Sequence, residues 1–187
     1  MKRLAALVLG AAAAGAQAQH VEHAYLTLSG GPSSVQTTCL NNRYDCGLSA
    51  KGGRLLGGLF INPGVAVEWV YMDFGRGQET RFLDSQRVGL RMLGLGSAAQ
   101  LELGGGLAFT VRGGLAGSRL QRDANEGGLQ SRVVLDNLDL YAGISALFRL
   151  NRTLAIEASL DALGLSDDTR YRREGGVMAT LGVSLRF

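Results

Sequence analysis

The C-terminal end of the chain alternates without interruption between apolar side chains and small or polar ones. The alternation covers residues 177–187 and ends on an aromatic residue, Phe187. One face carries Val177, Ala179, Leu181, Val183, Leu185 and Phe187, and the other carries Met178, Thr180, Gly182, Ser184 and Arg186. Because successive side chains of a β-strand point to opposite sides, this period of two predicts a strand with one apolar and one polar face.

Two kinds of protein use such a strand. An edge strand of a soluble sandwich would alternate in the same way, but it gives no reason for an aromatic last residue. A terminal aromatic residue on the outward face is typical of bacterial outer-membrane barrels, whose closing strand carries the signal read by the barrel-assembly machinery. We therefore predict a barrel, with its assembly signal in Leu181, Val183, Leu185 and Phe187.

The N-terminal end has the parts of a secretory signal peptide. Two basic residues precede an apolar run over residues 4–15, and small residues surround a cleavage position after Ala18. A transmembrane anchor is the alternative, but the run is rich in alanine and too short to cross about 30 Å of hydrocarbon. We predict a signal peptide over residues 1–18 and a barrel domain over residues 19–187.

Charge gives no support for a nucleic-acid partner. The whole chain has 19 basic and 16 acidic residues, and two of the basic ones lie in the predicted signal peptide. The mature chain is therefore close to neutral, whereas nucleic-acid-binding domains carry a clear basic excess.

The remaining sequence repeats the period of two. After residue 18 no apolar stretch is long enough, and free enough of charge, to form a transmembrane helix, so only a barrel would place this chain in a membrane. The candidate strands cover residues 24–30, 53–62, 65 onward, 93–103 (or 87–103), 107–116, 139–150, 154–163 and 177–187. Eight strands of this length fit the chain.

Short and long connections alternate between these strands. Tight turns are predicted at residues 62–64, 104–106 and 151–153, and long loops at residues 31–51, 75–87, 117–137 and 164–174. Outer-membrane barrels have short periplasmic turns and longer outer loops. The sequence therefore predicts an all-β fold, an eight-stranded antiparallel up-and-down transmembrane barrel with both termini in the periplasm.

One hairpin carries a family resemblance. Residues 53–63 read GRLLGGLFINP and residues 65–75 read VAVEWVYMDFG. Together they resemble the second hairpin of the OmpA-like transmembrane barrels. There a Gly-Gly pair precedes an aromatic strand end, an Asn turn follows, and an inward Glu leads to a Tyr-x-Asp-x-Gly ending. The closing residues 181–187 are similar to the last strand of that family.

The resemblance implies a small barrel without a cell-wall tether. Full-length OmpA continues into a soluble peptidoglycan-binding domain, whereas this sequence ends on its predicted barrel. The small single-barrel members are therefore the better comparison, and a structural or surface-interaction role is expected.

Several polar side chains fall on the inward face of the predicted strands. They are Arg54, Glu68, Gln100, Glu102, Arg112, Glu157, Asp161 and Arg186. A buried charge is costly unless it is paired, and eight strands leave an interior only just wide enough for side chains. We predict an ion-pair network that plugs the lumen, in which Glu68 and Arg112 each pair with one of Arg54, Arg186, Glu157 and Asp161. Because the family resemblance allows small conductances, a narrow ion or small-solute channel is the alternative.

The two cysteines, Cys39 and Cys46, lie close together in the first predicted long loop. In an exported protein such a pair is most simply a disulfide. A metal site would need further ligands, and the only histidines, His20 and His23, lie at the periplasmic start of the mature chain. No metal or other cofactor is predicted.

An outer-membrane lipid-modifying enzyme is a third interpretation. Barrel enzymes need a nucleophile with a base, or paired acids with a base, near the outer rim, and neither histidine reaches that rim. The adjacent acids Asp167 and Asp168 precede three arginines within five residues, a pattern typical of a solvated loop. We therefore predict no catalytic residues and no enzymatic activity.

The predicted outer loops are rich in arginine. They carry Arg76, Arg81, Arg87, Arg119, Arg122, Arg132, Arg170, Arg172 and Arg173 among nearly as many acids. Arginine binds phosphate through two parallel hydrogen bonds, which favours contacts with lipopolysaccharide head groups in addition to other outer-membrane lipids. An ordinary mixed-charge surface is the equal alternative. The sequence leaves open whether the loops bind an extracellular ligand. A monomer is expected.

Overall fold

The computed structural model describes residues 24–38, 45–81, 84–126, 129–166 and 173–187. These ranges hold eight strands. They are β1 (Ala24–Thr38), β2 (Asp45–Asn62), β3 (Val65–Arg81), β4 (Asp84–Gly104), β5 (Leu107–Glu126), β6 (Leu129–Arg149), β7 (Leu154–Ser166) and β8 (Arg173–Arg186). Each strand pairs antiparallel with the next, and β8 pairs with β1 to close the barrel. The predicted eight-stranded up-and-down barrel is confirmed.

Some sequence predictions fall outside the described part of the chain. These are the signal peptide over residues 1–18, both histidines, the acids Asp167 and Asp168, and the side chains of Cys39 and Cys46. The signal peptide and the disulfide therefore stay predictions. Among the described residues, no helix is long and apolar enough to cross a membrane.

The tight turns lie where the sequence predicts them, and local chemistry explains each one. The side-chain oxygen of Asn62 accepts a hydrogen bond from the backbone of Gly64 at 3.1 Å. Asn151 makes the equivalent bond to the backbone of Thr153 at 2.9 Å. The turn over residues 104–106 uses three glycines with φ of 85°, 62° and 82°, a region that other residues rarely adopt.

The predicted long loops at residues 31–51, 75–87 and 117–137 are wrong, because strand pairing continues through most of them. The β1–β2 hairpin continues to the pair Thr38 and Asp45, and the β5–β6 hairpin continues to the pair Glu126 and Leu129. Strand β4 likewise begins at Asp84, well before the predicted start. Outside a membrane the outward face of a strand need not be apolar, so its polar residues hide the alternation on which the prediction relied.

The height of the barrel wall is uneven at the end opposite the tight turns. Strands β5 and β6 pair along their whole length. Strands β6 and β7 pair only between the pair Leu140 and Gly164 and the tight turn that connects them. Strands β3 to β6 therefore rise above β7 and β8 as a tall section of wall.

A band of exposed apolar side chains surrounds the barrel. It includes Leu28, Leu59, Val67, Leu95, Leu101, Phe109, Val111, Leu115, Leu140, Ile144, Phe148, Ile156, Leu160 and Leu181. Soluble monomers rarely expose a continuous apolar surface of this extent, whereas lipid-facing barrels require one. The four residues of the predicted assembly signal belong to this band, and Phe187 is 63% exposed.

Replacement of Phe187 by Ser is expected to leave a chain that is exported but inserted several-fold less well. The closing strand would lose its outward terminal aromatic residue while its pairing with β1 stays intact. Heat-modifiable migration on an unboiled gel measures the folded fraction. Phe148→Ser is the matched control, because it removes an outward, 50% exposed Phe from a different strand. Equal yields of both variants would contradict an assembly signal at the terminus.

Candidate functional site

The centre of the barrel interior holds a cluster of paired charges. Glu157 on β7 accepts hydrogen bonds from Arg54 of β2 at 2.7 Å and from Arg112 of β5 at 3.1 Å. Asp161 also points inward from β7, four residues further along, and pairs with Arg54 at 2.8 Å. The side chains of these four residues are at most 1% exposed. Glu157 is therefore hydrogen-bonded to both arginines, whereas Asp161 is hydrogen-bonded to Arg54 and lies 3.8 Å from Arg112.

Glu68 extends the cluster across the barrel to β3. Its carboxylate lies 3.3 Å from Nε of Arg112, and the hydroxyl of Tyr25 on β1 donates a hydrogen bond to it. The prediction that Glu68 pairs with Arg54 or Arg186 is wrong, since its carboxylate pairs with Arg112. Arg112 has the expected partner, Glu157. The alternation in the sequence places Tyr25 inward, but it does not predict that Tyr25 contacts Glu68 on β3.

Hydroxyl groups supply further partners of the charged cluster. Arg54 donates through Nε to the hydroxyl of Ser29 at 3.1 Å, and Arg112 donates to Ser145 at 3.1 Å. Ser159 donates to Asp161 at 2.8 Å. Three carboxylates and two guanidinium groups are thus held by side chains from several strands, which is the condition under which buried charges are tolerated.

Glycine makes room for the cluster at two positions. A side chain at Gly143 would collide with the carboxylate of Asp161, and one at Gly58 would collide with the ring of Tyr25. The neighbouring Gly57 similarly lies under the outward ring of Trp69. The Gly-Gly pair of the second hairpin therefore has a physical role on each face of β2.

Two of the predicted lumen charges lie away from the cluster. Glu102 is a correction: its side chain is 54% exposed and forms an ion pair with Arg149 at the rim formed by the tight turns. It precedes an irregularity at the end of β4, where the strand leaves the closed interior. Arg186 is buried, donates to Gln100 at 3.0 Å and lies 5.7 Å from the centre of the Phe60 ring.

A second, apolar layer fills the interior on the side of the charged cluster that faces away from the tight turns. Its members larger than alanine are Val35, Leu48, Leu56, Val70, Met72, Phe74, Val88, Leu90, Met92, Leu120, Tyr141, Leu163 and Met178, none more than 7% exposed. Alternate residues of β3 point inward, and Glu68 of the charged cluster is followed by Val70, Met72 and Phe74 of the apolar layer, so the two layers succeed one another along this strand. A path through the lumen would have to cross both layers.

The sequence alone does not predict this apolar layer as a unit. Val70 and Met72 alternate with outward residues in a predicted strand, whereas Val35, Leu48 and Leu120 lie in stretches predicted as loops. The Tyr-x-Asp-x-Gly ending also has a structural basis. Asp73 accepts a hydrogen bond from the backbone of Gly75 at 2.9 Å, and Gly75 has a φ of 77°. The strand is irregular there, with Phe74 buried in the interior.

The described residues offer no group of three side chains suited to hold a metal ion. The buried carboxylates of the charged cluster are instead engaged with arginines and hydroxyl groups. The described interior is therefore filled by paired charges and by packed apolar side chains.

Comparison with known proteins shows what this architecture resembles. Neisserial surface protein A (NspA) superposes with a TM-score of 0.66 over 88% of this chain and 97% of its own, at 11% identity. Ail, the attachment invasion locus protein of Yersinia pestis, gives 0.59 over 89% and 100%, at 14% identity. The fold is that of the small outer-membrane barrels.

A third solved structure has the same fold, whereas comparison of sequences finds no match. The N-terminal barrel domain of Pseudomonas aeruginosa OprF gives a TM-score of 0.55 over 87% of this chain and 97% of its own, at 16% identity. No protein-family model and no curated protein matches the sequence. At these identities the likeness concerns the fold alone.

Proposed function

We propose that this chain is a resident barrel of the outer membrane with a sealed interior and a structural or surface-interaction role. The observation that carries the proposal is the succession of two closed layers in the lumen. Ions would have to separate buried charge pairs and then pass an apolar layer that offers them no compensating partner. A narrow channel is the alternative, and a steady conductance through the folded barrel would favour it.

Location in the outer membrane is supported by the outward surface. The exposed apolar side chains form a band round the whole barrel. The tight turns, the start of β1 and the end of β8 all lie on one side of this band. In the proposed orientation this side faces the periplasm, and the tall wall of β3 to β6 faces the outside. That wall is the part of the molecule available for surface interactions.

A non-catalytic role is supported by the state of the buried acids. Glu68, Glu157 and Asp161 are the carboxylates of the charged cluster, and each is paired with an arginine in a closed interior. Such a cluster gives a substrate neither access nor a free base. An outer-membrane lipid-modifying enzyme has no comparable support among the described residues.

Location and orientation can be tested together with inserted epitopes. One epitope is placed between residues 127 and 128, in the chain segment that connects β5 to β6, and the other in the turn at residues 151–153. We expect both proteins in the outer-membrane fraction, with the first epitope accessible on intact cells and the second only after permeabilisation. The reverse accessibility, or recovery of folded protein outside that fraction, would contradict the proposal.

A further inference from the structure

The outward residues of β3 to β6 form rows that run round the barrel. One row at the upper edge of the apolar band consists of Tyr71, Leu93, Gly117 and Leu138, each paired in register with the next. The row directly above it consists of Asp73, Arg91, Arg119 and Asp136. The change from apolar to charged side chains is therefore complete within one step along four neighbouring strands. In a membrane such a step lies where acyl chains meet head groups.

The two arginines at the centre of the charged row are direct cross-strand neighbours. Arg91 pairs with Asp73 at 2.8 Å on one side, and Arg119 pairs with Asp136 through hydrogen bonds of 2.6 and 3.0 Å on the other. The arginine side chains remain 56% and 66% exposed. Like charges on directly opposed residues of a sheet repel each other, and an anion bound between them would offset this repulsion.

Below the arginines, the apolar row has a gap at its centre. Gly117 lies between Leu93 and Leu138, which are 62% and 72% exposed. A Cβ atom added at Gly117 would meet no atom closer than 3.9 Å, so backbone packing does not require glycine there. The result is an open depression of about 670 Å³ whose lining includes Arg91 and Arg119 at its upper edge.

We propose that this depression binds a phosphate-bearing lipid of the outer leaflet. Arg91 and Arg119 contact the phosphate, for which the guanidinium group is geometrically suited, and an acyl chain lies over Gly117 between the two leucines. The charged row is neutral as a whole. Binding therefore requires both the two adjacent arginines and the acyl chain. This combined requirement selects a lipid over free phosphate. This inference rests on the proposed outer-membrane location and orientation.

The binding test uses the full barrel refolded in detergent, with lipid A as the probe and native mass spectrometry as the readout. The variant Arg91→Gln/Arg119→Gln is expected to bind lipid A about tenfold more weakly, because it loses both charge-assisted contacts. Arg149→Gln is the matched control, since it removes a paired arginine at the opposite rim. Lipid A without its phosphates is expected to bind the wild type as weakly as intact lipid A binds the double variant.

A second variant tests the acyl-chain part of the site. Gly117→Leu fills the depression from the outward face and is expected to weaken lipid A binding several-fold while the barrel stays heat-modifiable. Equal binding of lipid A by the wild type and the arginine double variant would overturn the site. Equal binding of inorganic phosphate and lipid A would overturn the lipid as its occupant. A heat-modifiable barrel that fails to bind contradicts this inference alone, whereas failure of the epitope test contradicts the proposed function.

Discussion

Glu157→Ala is expected to lower the free energy of unfolding by about 3 to 5 kcal/mol, the typical cost of removing one member of a buried ion pair. Glu157 accepts hydrogen bonds from both Arg54 and Arg112. Without it, Arg54 retains Asp161 at 2.8 Å. Arg112 retains only looser ion pairs, at 3.3 Å to Glu68 and 3.8 Å to Asp161. The loss therefore falls mainly on Arg112.

Urea unfolding of the barrel refolded in detergent, followed by heat-modifiable migration, measures this change. The matched control is Glu102→Ala, which breaks an ion pair with Arg149 where the Glu102 side chain is 54% exposed. Exposed pairs contribute about 0 to 1 kcal/mol, so the control should remain close to the wild type. Equal stability of the two variants would mean that the charged cluster does not hold the interior together.

Phe74→Ala is expected to cost about 3 to 5 kcal/mol, because it opens a cavity in the centre of the apolar layer. Phe74 is fully buried, and its ring fills the space that Gly176 leaves on β8. The surrounding wall is held by strand pairing and can close this cavity only in part.

The control for this substitution is Phe148→Ala, an outward Phe that is 50% exposed in the apolar band. Its removal leaves no enclosed cavity, so a clearly smaller loss of stability is expected under the same unfolding conditions. A loss at Phe148 as large as that at Phe74 would indicate that the apolar layer is not tightly packed.

Alternation along single strands predicted much of the fold correctly. It separated the inward from the outward face of β8 and indicated that Arg54, Glu68, Arg112, Glu157 and Asp161 point into the lumen. Turn chemistry at Asn62 and Asn151 located the tight connections. These features depend on residues close together in the chain, and for that reason the sequence alone is sufficient to predict them.

Features that depend on pairing between strands could not be predicted in the same way. Glu68 contacts Arg112 because of the stagger and closure of the barrel, which no single strand specifies. Glu102 faces inward by alternation but lies at the rim, because its depth depends on where β4 ends. The apolar layer was missed because strand pairing outside the membrane band does not require an apolar outward face.

The sealed lumen is the central claim, and a planar-bilayer recording of the refolded wild-type barrel tests it most directly. Folding is verified by the heat-modifiable band of the same preparation. With the charged cluster and the apolar layer both closed, the record is expected to show no steady conductance above that of the bare bilayer. A steady, ion-selective conductance from the folded barrel would contradict the sealed interior and favour the narrow channel.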